Sequence, residues 1–403
     1  MKSRFVAAGV LLSSASVPAL AVEMPNVSVI LDGYYQNNDR ALGRREDGFG
    51  LGETELAISG AIDDQFYGKM TAVLESHDGE TETELEEAFI QTMGLPAGFS
   101  IRAGRFMADL GYLNNQHLHT DSFVERPAIY RAFLGNHYFD DGLRVNWVAP
   151  TDLYWTVGVE GFDGGKLAAS GLEETESVGI YHLYTKLGGD LSASSSWQVG
   201  LSWMRNENGV GHLDHDEHEH DEHEGEEHEE HEGEEHAEEG HDHAGHSHNA
   251  SFTGENLYAF DAVYKWAPNG NFKNQHFTLS AEYMYLDKPF EEEGGEENIP
   301  DSYDGWYVSG VYQMSPRWSM GLRYGELSAA MAHEEAHGDH FHTHYEDAKL
   351  KETEAMIAWH NSHFSTVRLQ YTNQKDDLFE SKDDHIISLQ FNMAIGAHGA
   401  HQF

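Results

Sequence analysis

The sequence predicts an all-β fold, a transmembrane antiparallel β-barrel of sixteen strands with long extracellular loops. Three observations carry the prediction. Segments of about ten residues alternate between an apolar, aromatic-rich parity and a polar one. The connections between them alternate between short and long, and the first residues have the layout of an export signal. Composition agrees. Apolar residues form 39% of the 403, sparse for a helical membrane protein, whereas a barrel turns only every second strand residue to lipid. With no cysteine there is no disulfide framework, so backbone pairing and packing must hold the fold.

At the N-terminus Lys2 and Arg4 precede the apolar run Phe5 to Leu12, and small residues lead to Ala19-Leu20-Ala21. The basic flank, short apolar core and A-x-A site together read as a secretory signal peptide over residues 1–21, with the barrel occupying 22–403. No later run approaches the ~20 apolar residues that would anchor the chain in the inner membrane. The expected location is therefore the bacterial outer membrane, with both termini periplasmic. The terminal Phe403 fits, since such barrels commonly end on an aromatic residue.

Strands are expected to start near Val27, Leu51, Gln65, Leu85, Phe99, Gly142, Leu153, Val178, Ser196, Asn256, Gln275, Gly305, Arg317, Glu352, Phe364 and His385. Their two parities separate well. Leu56, Ile58 and Ile62 alternate with Glu55, Ala57 and Ser59; Trp197, Val199, Leu201 and Trp203 alternate with Gln198, Gly200 and Ser202. Ile387, Leu389, Phe391 and Met393 alternate in the same way with Ser388, Gln390 and Asn392. After odd-numbered strands the connections are long: Asp39–Gly48, Ser76–Glu84, Met107–Asp141, Asp163–Ser177, Asn206–Glu255, Asp287–Asp304, Ser328–Lys351 and Lys375–Asp384. After even-numbered strands they are turns such as Asp63-Asp64, Leu95-Pro96-Ala97-Gly98 and Pro268-Asn269-Gly270. Outer-membrane barrels have short periplasmic turns and long extracellular loops, so every long connection is expected outside the cell.

The connection 107–141 carries Leu118, Phe123, Ile129, Tyr130, Phe133 and Leu134 among polar residues. A long segment with its own apolar residues is usually functional or packed. Folding inward to constrict the pore is the favoured placement, an external lid the other. Its Asp121, Glu125, Arg126 and Arg131, with His117, His119 and the strand residue Arg102, are pore-lining candidates, because charged side chains in a lumen set selectivity. Salt-bridged clamps would use the same arginines.

From His212 to His248 the chain is low-complexity, with seventeen acids, no Lys or Arg, and twelve histidines. These are His212, His215, His218, His220, His223, His228, His231, His236, His241, His243, His246 and His248. Such a composition buries too little apolar surface to offset chain entropy, so the loop 206–255 is expected to be disordered without a ligand. A second His-rich loop, 328–351, carries His333, His337, His340, His342 and His344. Imidazole binds Zn²⁺, Cu²⁺ and Ni²⁺, and H-x-H and H-x2-H spacings let a flexible chain bring several nitrogens to one ion. A merely repulsive loop would need only Asp and Glu. A divalent transition metal is therefore an expected ligand or transported ion, with the spacing open as to which one and affinity order alone favouring copper over zinc, and no cofactor is expected to be required.

The formal charge of −46 is not confined to the His212–His248 tract, whose acids account for seventeen of it. Nucleic acid is excluded as a partner on these grounds, and cations are favoured at the mouth. No Ser/His/Asp arrangement or carboxylate pair stands apart from the general acidity, so an enzyme is not expected.

The stretches GFGLGETELAISGAIDDQFYGKMTAVLES and LEEAFIQTMGLPAGFSIRAGRFMADLGYLNNQH resemble the first hairpins of the phosphate-selective porins, where an R-A-G-R-F strand leads into the long pore loop. The likeness is clearest from about Gly48 to Asp141, and the chain is also similar to a His-rich branch of outer-membrane proteins linked to zinc uptake. The resemblance implies a sixteen-stranded channel for passive diffusion and a homotrimer in outer-membrane lipid. It also implies a basic pore, against which stand 24 Lys and Arg to 70 Asp and Glu. The expected function is a channel whose external His/acid loops gather divalent metal. The alternatives are a general or anion-type porin filtering through Arg102, Arg126 and Arg131, and a non-transport surface protein, an adhesin or metal buffer on a closed barrel.

Overall fold

The computed structural model describes residues 24–77, 80–169, 172, 175–211, 250–290, 300–337, 340–377 and 384–396. The signal segment, Phe403 and the tract His212–His248 lie outside them.

Alternation of polar and apolar residues is realised as β1 (Asn26–Gln36), β2 (Gly48–Leu51), β3 (Thr54–Ala61), β4 (Phe66–His77), β5 (Glu80–Thr92) and β6 (Phe99–Met107). After the long connection come β7 (Phe139–Val148), β8 (Tyr154–Phe162), β9 (Ile180–Ser192), β10 (Ser195–Asn206), β11 (Asn256–Trp266) and β12 (His276–Asp287). The remainder are β13 (Ser302–Ser315), β14 (Trp318–His337), β15 (His340–Ser362), β16 (Ser365–Asp376) and β17 (Asp384–Gly396). Neighbours in sequence pair antiparallel, and β1 closes the sheet on β17 from Ser28↔Gly396 to Gln36↔Ser388. β2 and β3 both pair with β1 and are two lengths of one stave, interrupted at Gly52-Glu53. Seventeen segments thus make a closed barrel of sixteen staves, the fold class expected from the sequence.

Parity decides which side chains meet which surroundings. Leu143, Leu183, Leu201, Leu279, Leu322, Leu369 and Leu389 point outward and are 40–66% exposed. Near the short-turn end the outer face carries Trp155, Trp266, Trp318 and Trp359, and near the other end Tyr181, Trp203, Tyr258, Tyr283, Tyr324 and Tyr371. An apolar belt between two aromatic girdles is the surface a bilayer covers. Inward-facing residues of the same strands are polar and buried, among them Glu55, Thr71, Glu160, Ser202, Glu282, Arg323, Gln370 and Gln390.

Two expected loops are instead strand. Ser76–Glu84 pairs through to His77↔Glu80, and Ser328–Lys351 is a ribbon of β14 and β15 paired from Ser328↔Lys349 to His337↔His340. Beyond Ser328 and Lys349, whose carbonyl accepts from the Asp377 N–H, these arms pair only with each other, so the ribbon continues past the barrel wall. His333 is paired with His344 and Glu335 with His342. The physical reason is that antiparallel pairing satisfies backbone groups whatever the side chains, and where no lipid selects an apolar parity the strand carries no alternating signal. Glu352 as a strand start is therefore twelve residues late.

The main apolar core lies inside the barrel. Ile129, Tyr130, Phe133 and Leu134 pack with Met284, Leu286, Tyr303, Tyr307, Leu327 and Leu350 of the wall.

Candidate functional site: the lumen and its inward segment

Between β6 and β7 the chain turns into the lumen, and local chemistry explains the path. Gly111 adopts φ +61°, and a Cβ there would lie 2.3 Å from Glu282 Oε2 and 2.6 Å from the Tyr130 hydroxyl. Only glycine fits that approach. Asn114 closes the base of the segment, its Nδ2 donating to the Ala108 and Tyr138 carbonyls (2.8 and 2.9 Å) and its Oδ1 accepting from the Tyr138 N–H (2.7 Å). A short helix, α1 (Ala128–Leu134), is buried throughout and ends on Gly135 in the left-handed region, where the Asn136 N–H donates to the Tyr130 carbonyl.

Anchors from all around the wall hold this segment. Glu282 accepts hydrogen bonds from the Tyr112 N–H (2.9 Å), the Tyr130 hydroxyl (2.7 Å) and the Tyr307 hydroxyl (2.5 Å). Burial and the Glu282 charge push the Tyr130 phenol well above its ordinary range, so it stays a donor. Lys186 pairs with Asp109. Burial opposes ionisation of Asp109, but Lys186 and Arg144 outweigh it and hold the carboxyl at about 2. The Val124 N–H donates to Gln370 (2.9 Å), and Arg323 and Arg368 donate to the carbonyls of Glu125 and Asp121 (both 2.6 Å).

The sequence candidates divide between these roles. Arg126 is fully buried; it pairs with Asp121 (3.0 Å) and donates to the Asn136 and Gln116 carbonyls. Arg131 donates to the Arg126 carbonyl and pairs with Glu352 (both 2.7 Å), which also receives Arg40 (2.7 Å). Glu125 is buried too and accepts from the Arg45 N–H (3.2 Å). All four side chains are spent on holding the segment. Arg102 instead donates to Gln91 (2.9 and 2.7 Å) and, with Arg144, Lys186 and Asp109, lines a cavity of about 860 Å³ reaching the short turns at Asp152-Leu153 and Gly188-Gly189-Asp190. His119 and Asp121 border a second cavity of about 710 Å³ toward His360 and Arg368. The tract His212–His248, expected outside the cell, is not among the described residues, and His333, His337, His340, His342 and His344 lie on the ribbon.

His117 and His119 meet residues that sequence reasoning missed. In β5 the pairing slips: Thr71 opposes Glu87 and Ala72 opposes Leu85, leaving Glu86 as the extra residue of a β-bulge. The bulge turns the adjacent Glu86 and Glu87 both inward, 1% and 5% exposed. Two neighbouring acids within an otherwise alternating strand were the available signal. The stave break at Gly52-Glu53 likewise buries Glu53 beside Glu55. His117 Nδ1 lies 2.9 Å from Glu86 and 3.3 Å from Glu55, its Nε2 is 2.9 Å from Glu87, and His119 Nδ1 is 2.5 Å from Glu55. Burial opposes protonation of His117, but Glu55, Glu86 and Glu87 hold its imidazole well above the ordinary histidine range. His137, at the far end of the inward segment, brings Nε2 to 2.6 Å from Glu86. Nothing in the sequence marked that residue.

No protein-family model matches the chain. It is 26% identical over 377 residues to an uncharacterized protein of Aquifex aeolicus (strain VF5), covering 88% of this chain and 70% of that one. Among solved structures it resembles the outer-membrane channel DcaP of Acinetobacter baumannii (TM-score 0.53, 12% identity, 92% and 96% of the two chains). It resembles equally the anion-selective porin from Comamonas acidovorans (0.52, 9%, 92% and 99%) and OmpT of Vibrio cholerae in trimer form (0.52, 8%, 92% and 98%). At these identities the likeness is one of fold: a closed sixteen-stave antiparallel barrel matching those of outer-membrane porins.

Proposed function

We propose that the chain is a cation-preferring outer-membrane channel for passive diffusion, whose external His- and acid-rich segments gather divalent metal, zinc foremost, at its mouth. The charge of the lumen carries this reading. Among the described residues the buried ionisable side chains include fourteen carboxylates against eight Arg and Lys, so the interior is acidic independently of the external tract. Charged groups in a narrow, low-dielectric passage set the sign of the permeant ion. Twelve histidines and seventeen acids in one tract form many weak sites, which raise local metal concentration while letting ions leave. Similarity to phosphate-selective porins and to the His-rich, zinc-linked branch supports the channel and the metal respectively, and a homotrimer in outer-membrane lipid follows from the same likeness.

The test is zinc uptake by cells carrying the chain with residues 212–248 deleted. Uptake at scarce zinc falls while uptake at abundant zinc persists; unchanged uptake at scarce zinc would remove the tract from the account. One observation favours an anion-type porin instead: Arg102, Arg144 and Lys186 share the cavity at the short-turn end. Asp109, Asp152 and Asp190 line the same cavity and offset that charge.

A further inference from the structure

We propose that Glu53, Glu55, Glu86, His117 and His137 form a binding centre for divalent transition-metal ions inside the barrel, two half-sites sharing Glu86. It rests on the inward cluster alone, and stands or falls separately from the external histidines.

Five ligating side chains from five places in the fold converge here: the break between β2 and β3, the start of β3, the bulge of β5, and each of the two arms of the inward segment. Ligand atoms of Glu53, Glu86 and His137 lie within 4.8 Å of one another, and so do those of Glu55, Glu86 and His117. The two oxygens of Glu86 are divided between the halves, Oε1 toward His137 at 2.6 Å and Oε2 toward His117 at 2.9 Å. Around a tetrahedral ion with bonds of about 2.0 Å, neighbouring ligand atoms stand about 3.3 Å apart, so only small rotations separate this arrangement from coordination.

Three further features distinguish the cluster from a set of His–carboxylate ion pairs. Glu53 is 4% exposed, yet neither of its carboxylate oxygens accepts a hydrogen bond among the described residues. A buried carboxylate left so is costly unless a cation meets it. Glu86 Oε2 and His117 Nδ1 stand 2.9 Å apart without a well-directed hydrogen bond, so an ion that takes the place of the His117 proton meets donors already converged. Finally, Glu87 lies 2.9 Å from the other ring nitrogen of His117, and is itself held by Lys69 and by Thr71 Oγ1 (3.1 Å). An ion bound at Nδ1 takes the place of the proton that the carboxylates otherwise hold there, while Glu87 and Lys69, whose Nζ is 2.8 Å from Nε2, fix the ring from behind, as carboxylate–imidazole–metal relays do. Mixed imidazole and carboxylate donors without sulfur suit Zn²⁺ and its first-row neighbours rather than Ca²⁺ or Mg²⁺.

The experiment uses purified full-length barrel lacking residues 212–248 and carrying His333→Asn, His337→Asn, His340→Asn, His342→Asn and His344→Asn. Zn²⁺ binding is measured by equilibrium dialysis, with Co²⁺ absorption as a spectroscopic report of imidazole ligation. This background retains tight Zn²⁺ binding. Glu86→Gln weakens it in both halves by at least about 10-fold and abolishes the Co²⁺ band. Asp261→Asn, a buried acid on β11 across the barrel, leaves it unchanged. Heat-modifiable gel mobility verifies that each variant is folded, and His117→Gln, which removes one half-site only, serves if Glu86→Gln is not. Absence of tight Zn²⁺ binding in the background, or binding indifferent to both variants, would overturn the proposal.

Discussion

Glu282 collects three donors on two oxygens, which defines what its replacement must do. Gln keeps a single acceptor oxygen, so Glu282→Gln orphans at least one of the Tyr112 N–H, Tyr130 O–H and Tyr307 O–H donors, each buried group costing about 1–3 kcal/mol. The inward segment loosens while the barrel stays closed. Faster proteolysis within 108–138, with unchanged heat-modifiable mobility, is the expected result. Arg131→Ala acts more strongly, because it leaves Glu352 sharing one guanidinium where it had two; breaking such a buried pair costs about 3–5 kcal/mol. Single-channel conductance should rise and become noisier. On the outer face the sign of a charge matters less than its depth. Leu201 is 59% exposed on the apolar parity, and Leu201→Arg should destabilise insertion by about 2–4 kcal/mol if it sits at the bilayer midplane, measured by folding into lipid vesicles.

At the scale of elements, the ribbon and the inward segment behave differently. Beyond Lys349 the arms find strand partners only in each other, and their core contacts are made at Ala329, Ala330, Tyr345 and Ala348, so replacing only 331–344 with a two-residue turn should leave the barrel's thermal mobility shift intact. The inward segment, by contrast, is tied at Asp109. Since its folded pKa is depressed to about 2, the clamp to Lys186 contributes fully above the unfolded value of about 3.9 and is lost as pH falls through 2. Conductance recorded from pH 5 downward should stay level until that window and then change. The elements also differ in how far their sequences announce them. Leu201, Trp203 and Leu389 sit against an apolar medium on one side and a polar lumen on the other, so the alternation is written in their residues. Strand continuation into His333–His337 has no such medium to select it, and the bulge at Glu86 appears only as a doubled acid. The break at Gly52-Glu53, which buries Glu53, has no sequence signature beyond a glycine.

For the whole molecule, charge links fold to function. The acids that make the net charge −46 are divided between the His212–His248 tract and a barrel interior with more buried carboxylates than Arg and Lys, and the proposed cation preference rests on that distribution. The His-rich part was legible, because a run of twelve histidines among acids needs no tertiary context. The internal part was not: Glu53, Glu55, Glu86, His117 and His137 are separated by up to 84 positions and meet only because a bulge, a stave break and a folded-in segment bring them together. Arg126 and Arg131, conspicuous in sequence as cations in a pore segment, prove to be spent on carbonyls and carboxylates of the segment and its wall. The most direct test of the central claim is the reversal potential of the purified barrel in a planar bilayer under a salt gradient at neutral pH. The account predicts a potential of the sign set by cation preference; a potential of the opposite sign, set by anion preference, would contradict it.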